Sequence, residues 1–225
     1  MGYEASKTKE ILTEEELALF SGEGIDIGCG LDPIMPSARP FDMEHGDANE
    51  ISKFVETQYD YVFSSHCLEH MHNPQSAILE WWKLVKPGGH LIFTVPDEDL
   101  YEQGYFPSLF NYDHKNTFTI SKRESWSDKS HNVLDLVNSL PNAKLVKIEL
   151  HDLNFDRSAL YHSVYKRDTA FSAINFLRKF SSIFKALGLR DLVFRAFAKL
   201  FRLPIEQGHN HALVQIFTIV QKTKD

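Results

Sequence analysis

The sequence predicts a single α/β domain, spanning residues 1–225, whose strands end in ligand-binding loops, and three stretches support this fold class. Residues 24–30 are short apolar residues that lead into two glycines, as in a buried strand followed by a tight turn. Residues 59–65 alternate in polarity and then end in polar side chains, which indicates a second sheet strand. Residues 73–95 predict a helix followed by a further apolar strand. Asn-Pro marks the beginning of the helix, and Lys-Pro-Gly-Gly marks its end.

The turn after the first strand carries Gly28 and Gly30. Glycines there let the backbone bend sharply and let a ligand approach it closely. The dinucleotide fingerprint requires a third glycine at the position of Pro33, so a dinucleotide-dependent oxidoreductase is disfavoured. We therefore expect a cofactor loop of another kind.

Two aspartates follow this loop at the tips of neighbouring strands. Asp42 ends a short second strand over residues 38–41, where an ionised carboxylate can accept from both hydroxyls of a ribose. Asp47, one strand over, is placed to accept from the exocyclic amine of an adenine. Each aspartate taken singly also fits a turn or cap position, but together after the glycines they favour a cofactor site.

The stretch from His66 to His70 lies at the carboxyl end of the predicted central strand, the edge where open α/β sheets bind their ligands. Its His-x-x-Glu-His pattern formally matches a zinc-protease motif. That motif requires a continuous helix, whereas this stretch follows directly on a strand. We therefore predict a site without metal, although a role for His66, Glu69 and His70 toward a metal other than zinc stays open.

The order of these motifs resembles the class I S-adenosylmethionine-dependent methyltransferases over about residues 24–155. The matching stretches are Asp-x-Gly-x-Gly, an acidic strand tip, Gly-Asp-Ala, Ser-Ser-His-Cys-Leu-Glu-His and Leu-Val-Lys-Pro-Gly-Gly-His-Leu. In particular, the sequence resembles the branch found in bacterial polysaccharide and lipopolysaccharide gene clusters. The resemblance implies a Rossmann-like sheet with strand order 3-2-1-4-5-7-6, its seventh strand antiparallel, and here a helical insert between the last two strands.

The resemblance also implies which residues hold S-adenosylmethionine and its product S-adenosylhomocysteine. The glycine loop would lie against the methionine part, the second-strand acid would hold the ribose, and the Gly-Asp-Ala aspartate would meet the adenine. The implied cofactor residues are Asp26, Gly28, Cys29, Gly30, Asp42, Asp47, Ala48, Ser64, Ser65 and His66. A short connection over residues 31–46 departs from the family and leaves open whether Asp42 or Glu44 is the ribose ligand.

Residues 97–119 show no clear periodicity and are rich in aromatic and acidic side chains. A loop of this length in a compact domain is usually functional, so we interpret it as the wall that binds the methyl acceptor. The predicted acceptor residues are Asp97, Glu98, Tyr101, Tyr105 and Asn111. His114 and His66 are the candidate catalytic residues, with His114 as a general base or, equally, as a histidine that only fixes the loop.

Two segments flank this core: an N-terminal helical segment over residues 1–23, with Thr13 as a helix cap, and a basic helical insert over residues 153–210. Residues 158–202 contain nine Lys or Arg against two acids, on a chain whose net charge is −7. Helical spacing groups its large apolar residues into two amphipathic helices: Phe176, Phe180, Phe184 and Leu187, then, past Gly188, Phe194, Phe197 and Phe201.

The basic insert has three interpretations. It can be a lid or a homodimer contact, a positive surface for an anionic acceptor, or a peripheral contact with the inner membrane face. The overall negative charge argues against a nucleic-acid partner, and two cysteines beside loops argue against a disulfide, so we expect a cytoplasmic protein.

From these features we expect a methyltransferase that acts on oxygen or nitrogen of a sugar or related precursor of a surface polysaccharide. The acceptor would be phosphorylated, nucleotide-linked or lipid-linked. The alternative is a non-catalytic module that keeps the cofactor fold for scaffolding or membrane binding.

Overall fold

The computed structural model describes residues 4–160, 166–186, 190–208 and 212–224. These residues form a six-stranded sheet in the order β2-β1-β3-β4-β8-β7 and a separate pair of short strands, β5 and β6. The strands are β1 (Gly24–Ile27), β2 (Arg39–Phe41), β3 (Tyr59–Ser65), β4 (Val85–Pro96), β5 (Thr117–Thr119), β6 (Ser130–Asn132), β7 (Ala143–His151) and β8 (Gln215–Lys222).

Strands β1 to β4 of the main sheet are parallel, and β8 is antiparallel to both β4 and β7. Ile27 pairs with Ser64, and Ser65 pairs with Thr94, so β1, β3 and β4 all finish near one edge of the sheet. The loops that carry chemistry leave this edge, as is general for open α/β sheets.

Six α-helices accompany the strands in the described ranges. They are α1 (Glu4–Ile11), α2 (Glu14–Ala18), α3 (Pro74–Lys83), α4 (Val133–Asn138), α5 (Arg167–Ala186) and α6 (Arg190–Phe201). The predicted caps are present: Thr13 forms a capping box with Glu16, and the Asn73 side chain accepts from the Ser76 amide at 3.1 Å. Helix α1 lies within the predicted N-terminal helical segment over residues 1–23, ahead of the helix that Thr13 caps.

The strand order differs from the predicted one at a single position. Where the third strand was expected, beyond β2, the chain forms a short 3₁₀ helix over Ala48–Lys53, and the described sheet ends at β2. The Asp47 side chain caps this helix, and the Trp81 indole of α3 donates to the Ala48 carbonyl at 2.9 Å. These bonds satisfy the backbone locally, so the segment needs no strand partner.

The core lies on both faces of β3, because successive side chains of a strand point to opposite sides. Val62 packs in the cluster that contains Trp81 and Trp82 of α3. Tyr61 and Phe63 pack on the opposite face, where the Phe20 ring meets them edge-on at 5.3 and 5.5 Å between centroids. The N-terminal segment therefore closes one face of the sheet beside the site.

The insert forms two helices, α5 and α6, as the sequence predicts, but the buried face is a different one. Ala170, Ile174 and Leu177 of α5 pack with Tyr105 and Leu109 in a third apolar cluster. The aromatic residues expected to share the apolar face are exposed where described, at 60% for Phe176, 39% for Phe197 and 43% for Phe201. Leu187 and Gly188, and the side chains of Phe180, Phe184 and Phe194, lie outside what the structure describes.

Among the described helices, none combines the length and the apolar character that a membrane span requires.

Candidate active site

The glycine loop after β1 has the backbone that the sequence predicts. Gly28 has φ +75°, and its N–H donates to the Phe41 carbonyl at 2.7 Å. A Cβ at this position would lie 2.7 Å from both Cβ and Sγ of Cys67. Gly30 has φ +54°, and a Cβ there would meet nothing within 4 Å. The loop therefore packs against the chain at Gly28 and is open at Gly30, where a ligand can approach.

Asp42 fixes this loop from the tip of β2. Its carboxylate accepts from the Gly30 amide and from the Met43 amide, both at 2.7 Å. Glu44, the other candidate ribose ligand, is exposed. The geometry favours Asp42, because its carboxylate is already held against the loop and Glu44 has no such position.

Asp26 is a buried carboxylate at the base of the loop. It has no exposed surface, its Oδ2 accepts from the Ile34 amide at 2.7 Å, and its Oδ1 has no hydrogen-bond partner. Burial raises the pKa of Asp26 to about 7, and the nearby charges of Asp32 and Asp42 add to the rise against the opposing Ile34 bond. The unpaired Oδ1 of Asp26 is a buried hydrogen-bond acceptor beside an open glycine turn. It suits a ligand with a cationic or hydrogen-bond-donating group, such as the ammonium group of an amino acid.

Three of the predicted cofactor residues lie at the ends of β1 and β3. Ser64 is buried and donates from Oγ to the Ile27 carbonyl at 3.0 Å, so its hydroxyl joins the two strands and does not face a ligand. Ser65 is half-buried, and its Oγ accepts from the Thr94 hydroxyl at 3.1 Å. Cys29 is half-buried, and burial raises the pKa of its thiol to about 11, so it stays protonated near neutral pH.

Asp47 and Ala48 occupy the segment that replaces the expected third strand. Asp47 is exposed, and its Oδ1 accepts from both the amide and the side-chain Nδ2 of Asn49, each at 2.8 Å. These hydrogen bonds lower the pKa of Asp47. The aspartate therefore acts as a helix cap in this structure, and a contact with adenine stays a prediction.

His66 begins a buried polar network at the end of β3. It has φ +51°, a left-handed conformation that is uncommon outside glycine. Its Nε2 lies 3.0 Å from Oε1 of Gln215, whose Nε2 in turn donates to the Thr8 hydroxyl at 2.9 Å. Burial alone would lower the pKa of His66, but the facing Glu69 carboxylate outweighs burial and raises it. His66 is thereby held as a hydrogen-bond donor, and its predicted catalytic role stays a prediction.

Glu69 is the centre of this network. It is fully buried, and its Oε1 lies 3.4 Å from His66 Nδ1 and 3.9 Å from Nε2 of both His70 and His114. Neither carboxylate oxygen makes a well-formed hydrogen bond. Burial alone would raise the pKa of Glu69, yet the three surrounding imidazoles, His66 foremost, hold it below its usual value. The carboxylate is therefore an unsatisfied buried anion ringed by imidazoles.

His114 is a buried histidine that also faces Glu69. Its Nδ1 lies 2.7 Å from Oε1 of the buried Glu102, and its ring packs against Tyr101 at 5.2 Å between centroids. Its Nε2 is thereby directed toward Glu69. Of the predicted acceptor residues, Tyr101 packs on this ring, and the Asn111 carbonyl accepts from the His114 amide at 3.3 Å.

The other predicted acceptor residues have structural roles instead. Glu98 is fully buried and takes four donors, from the side chains of Thr117, Lys122, Ser125 and Ser130, at 2.6–3.2 Å. Its carboxylate fastens β5 and β6 to the short π-helix over Glu98–Glu102 and has no surface for a substrate.

Asp97 caps the same π-helix, since its Oδ1 accepts from the amides of Asp99 and Leu100. Burial raises the pKa of Asp97 to about 6. Tyr105 is buried in the cluster under α5, and the Asn111 side chain accepts from the Asp113 amide at 3.1 Å. Tyr101 is therefore the predicted acceptor residue that packs on the ring of His114, and acceptor binding by this loop stays a prediction.

Thr8, Gln215 and Glu102 are polar residues that the sequence did not single out. Gln215 is fully buried. Its side chain forms hydrogen bonds with His66 and with Thr8 of α1, which is 207 positions away in the sequence. Its one sequence signal is a polar residue at the start of an apolar strand, which is too common to indicate a site.

A family model for the methyltransferase domain matches residues 7–135. That is more than half of the chain, and it includes the glycine loop, Asp42 and the histidines around Glu69. The chain belongs to this methyltransferase family. The resemblance that the sequence shows to the methyltransferases is confirmed at the level of this family.

The methyltransferase is 34% identical over 88 residues to the ubiquinone biosynthesis O-methyltransferase of Pectobacterium carotovorum subsp. carotovorum. The match covers 36% of each chain, so it spans about a third of the length of that curated relative. In structure, the methyltransferase is similar to a protein of Galdieria sulphuraria provisionally assigned as a sarcosine dimethylglycine methyltransferase. The TM-score is 0.51 at 16% identity, with 97% of this chain and 85% of the other covered, which shows a shared fold.

The residues present fit S-adenosylmethionine, the cofactor that the resemblance implies. Gly28 and Gly30 leave backbone space at the loop, Asp42 offers a fixed carboxylate, and Asp26 offers an unpaired buried oxygen. When bound, S-adenosylmethionine supplies a methyl group that its cationic sulfur makes electrophilic. Gly28, Gly30, Asp42 and Asp26 are the residues that would hold this cofactor.

Proposed function

We propose that the methyltransferase transfers the methyl group to oxygen, or secondarily nitrogen, of a sugar or related precursor of a surface polysaccharide. The observation that supports this is the buried cluster of Glu69, His70 and His114 beside the end of β3. A hydroxyl must lose its proton as it attacks a methyl group, so a site for hydroxyl acceptors needs groups that promote that loss. The cluster supplies such groups at the edge of the sheet that carries the glycine loop.

Oxygen is favoured over nitrogen by the curated relative, whose name describes it as an O-methyltransferase. The structure supports the same preference. Glu102 contacts His114 Nδ1, so the other ring nitrogen, Nε2, faces Glu69 and the interior of the site. A neutral amine would need no comparable group, because it attacks through a free electron pair.

An anionic, phosphorylated, nucleotide-linked or lipid-linked acceptor is favoured by the insert that packs above Tyr105. Lys179 of α5, Lys199 of α6 and Arg202 just after α6 are exposed, and Leu200 of α6 is 74% exposed. Basic side chains interspersed with exposed apolar ones suit a charged precursor carried at a membrane surface. The insert thereby offers the acceptor a positive approach to a site whose own carboxylates are negative.

A panel of acceptors tests this proposal, with transfer of labelled methyl from S-adenosylmethionine as the readout. We expect turnover with sugars that carry a phosphate or diphosphate group and much less with the same sugars lacking it. Methyl transfer confined to neutral aromatic hydroxyls would contradict the polysaccharide assignment. Absence of transfer to every acceptor, with the cofactor still bound, would favour the non-catalytic alternative.

Replacing His114 by alanine is expected to lower kcat by about 100-fold or more on a hydroxyl acceptor, because the proton then leaves without the cluster. Affinity for S-adenosylhomocysteine should stay the same, since His114 lies outside the glycine loop. His72→Ala, which removes an exposed imidazole nearby, is the matched control and should leave kcat unchanged. An unaltered kcat in His114→Ala would return this residue to a purely structural role.

A further inference from the structure

We propose that Glu69, His70 and His114 bind a divalent transition metal ion. One ligand atom from each lies within 4.8 Å of the others, and Glu69 Oε1 is 3.9 Å from Nε2 of both histidines. Ligand atoms around a tetrahedral zinc ion are about 3.4 Å apart, given metal–ligand distances of about 2.1 Å. The two distances from Glu69 exceed that spacing by about 0.5 Å, so a bound ion would draw the side chains together.

Both histidines contact a carboxylate through the ring nitrogen that would not bind the metal. A ligating histidine usually donates its second ring N–H to a carboxylate, which fixes the ring and directs the other nitrogen at the metal. Nδ1 of His114 lies 2.7 Å from Glu102, and Nδ1 of His70 lies 2.9 Å from Asp113. Both Nε2 atoms therefore face Glu69, which a loop-fixing role would not require of two separate histidines.

The carboxylate of Glu69 provides an independent observation. It is fully buried, and neither of its oxygens has a hydrogen-bond partner. A buried carboxylate whose oxygens make no hydrogen bond is costly, and it is seldom left so unless an ion or water completes it. Glu102 places a second buried carboxylate behind His114, also with one oxygen unpaired. A dication would offset this concentration of negative charge.

The ligand set is not the one that the sequence pattern suggests. His66, the first histidine of His-x-x-Glu-His, bonds Gln215 at Nε2 and faces Glu69 at 3.4 Å through Nδ1, but it is not among the three residues whose ligand atoms converge. His114 comes instead from the loop that follows β4 and was not recognisable as a partner of Glu69 from spacing. Two imidazoles and one carboxylate suit zinc and its first-row neighbours better than magnesium or calcium.

A metal here would also affect catalysis, and that consequence rests on the proposed function. A bound dication lowers the pKa of a coordinated hydroxyl, so the acceptor would lose its proton to solvent and His114 would serve as a ligand. Binding of the metal itself does not depend on which acceptor is methylated.

The test is calorimetry with ZnCl₂ on the full chain after chelator treatment and dialysis, without cofactor or acceptor. We expect one zinc ion per chain, a rise in melting temperature with zinc, and a loss of at least about 100-fold in affinity in Glu69→Gln and in His114→Ala. Glu102→Gln, which keeps all three ligands, should lose about 10–100-fold. His72→Ala is the control and should bind zinc as the parent chain does.

Circular dichroism establishes that each variant is folded, and Glu69→Gln keeps the shape of the side chain if His114→Ala does not fold. Absence of zinc binding by the parent chain would overturn the proposal. Equal binding by the parent chain and Glu69→Gln would also overturn it, because the zinc would then lie at other histidines. Because no acceptor is present, either result is independent of the proposed function.

Discussion

Gly28→Ala is expected to destabilise the methyltransferase strongly, by on the order of 3 kcal/mol in the free energy of unfolding. A left-handed φ of +75° costs a non-glycine residue about 1–2 kcal/mol. The new Cβ would in addition lie 2.7 Å from two atoms of the buried Cys67 side chain, and relieving such overlap costs about 1–3 kcal/mol. Urea denaturation of the cofactor-free protein measures the change.

Gly30→Ala is the matched control for this prediction. Its φ of +54° carries the same kind of conformational cost, but its Cβ would meet nothing within 4 Å. We therefore expect a loss of roughly 1–2 kcal/mol, clearly smaller than at Gly28. Equal losses at the two positions would show that contact with Cys67 does not constrain the loop.

Asp26→Asn is expected to change how stability depends on pH. Folding raises the pKa of Asp26 from 3.8 to about 7, so the folded state holds this proton more tightly than the unfolded state does. The free energy of unfolding of the parent chain therefore falls as pH rises from about 4 to about 7, by at most about 4 kcal/mol from this group. Asparagine can still accept from the Ile34 amide but does not ionise, so the variant should lack this fall.

The measurement is the difference in free energy of unfolding between Asp26→Asn and the parent chain from pH 4 to pH 8. It should shift in favour of the variant as pH rises. Asp60→Asn serves as the control of opposite sign, because hydrogen bonds from the Glu23 amide and Lys86 lower the pKa of Asp60. A difference that is constant with pH for Asp26→Asn would mean that this carboxylate ionises normally in the fold.

Local features of the methyltransferase could be predicted from its sequence. The turn at Gly28 and Gly30 depends on backbone freedom, and the caps at Thr13 and Asn73 depend on neighbours three residues away. Asp42 was placed correctly at the loop because a strand tip follows from the strand itself. Each of these signals lies within a few residues of the structure that it specifies.

Features that depend on distant contacts could not be predicted. The bonds of Gln215 to Thr8 and of His114 to Glu102 depend on tertiary packing that no local pattern reports. In the insert, the helices that the periodicity predicts are present, but α5 has two faces that are apolar enough to be buried. The face with Ala170 and Ile174 is the buried one, since small side chains allow the helix to pack closely on the loop.

The third-strand prediction failed for a related reason. Asp47 was assigned to a strand tip, and its preference for helix caps was judged the weaker alternative. In the structure, the cap and the bond from Trp81 to the Ala48 carbonyl together stabilise a 3₁₀ turn. A short connection after β2 left too few residues for both a helix and a strand.

Titration of the parent chain with S-adenosylhomocysteine in a calorimeter tests most directly whether the glycine loop and its two carboxylates form the cofactor site. We predict one molecule bound per chain, no binding of NAD, and a loss of at least about 10-fold in affinity in Asp42→Ala, whose charge-assisted hydrogen bond to Gly30 is removed. Binding of NAD in place of S-adenosylhomocysteine, or an affinity unchanged by Asp42→Ala, would contradict this assignment of the pocket.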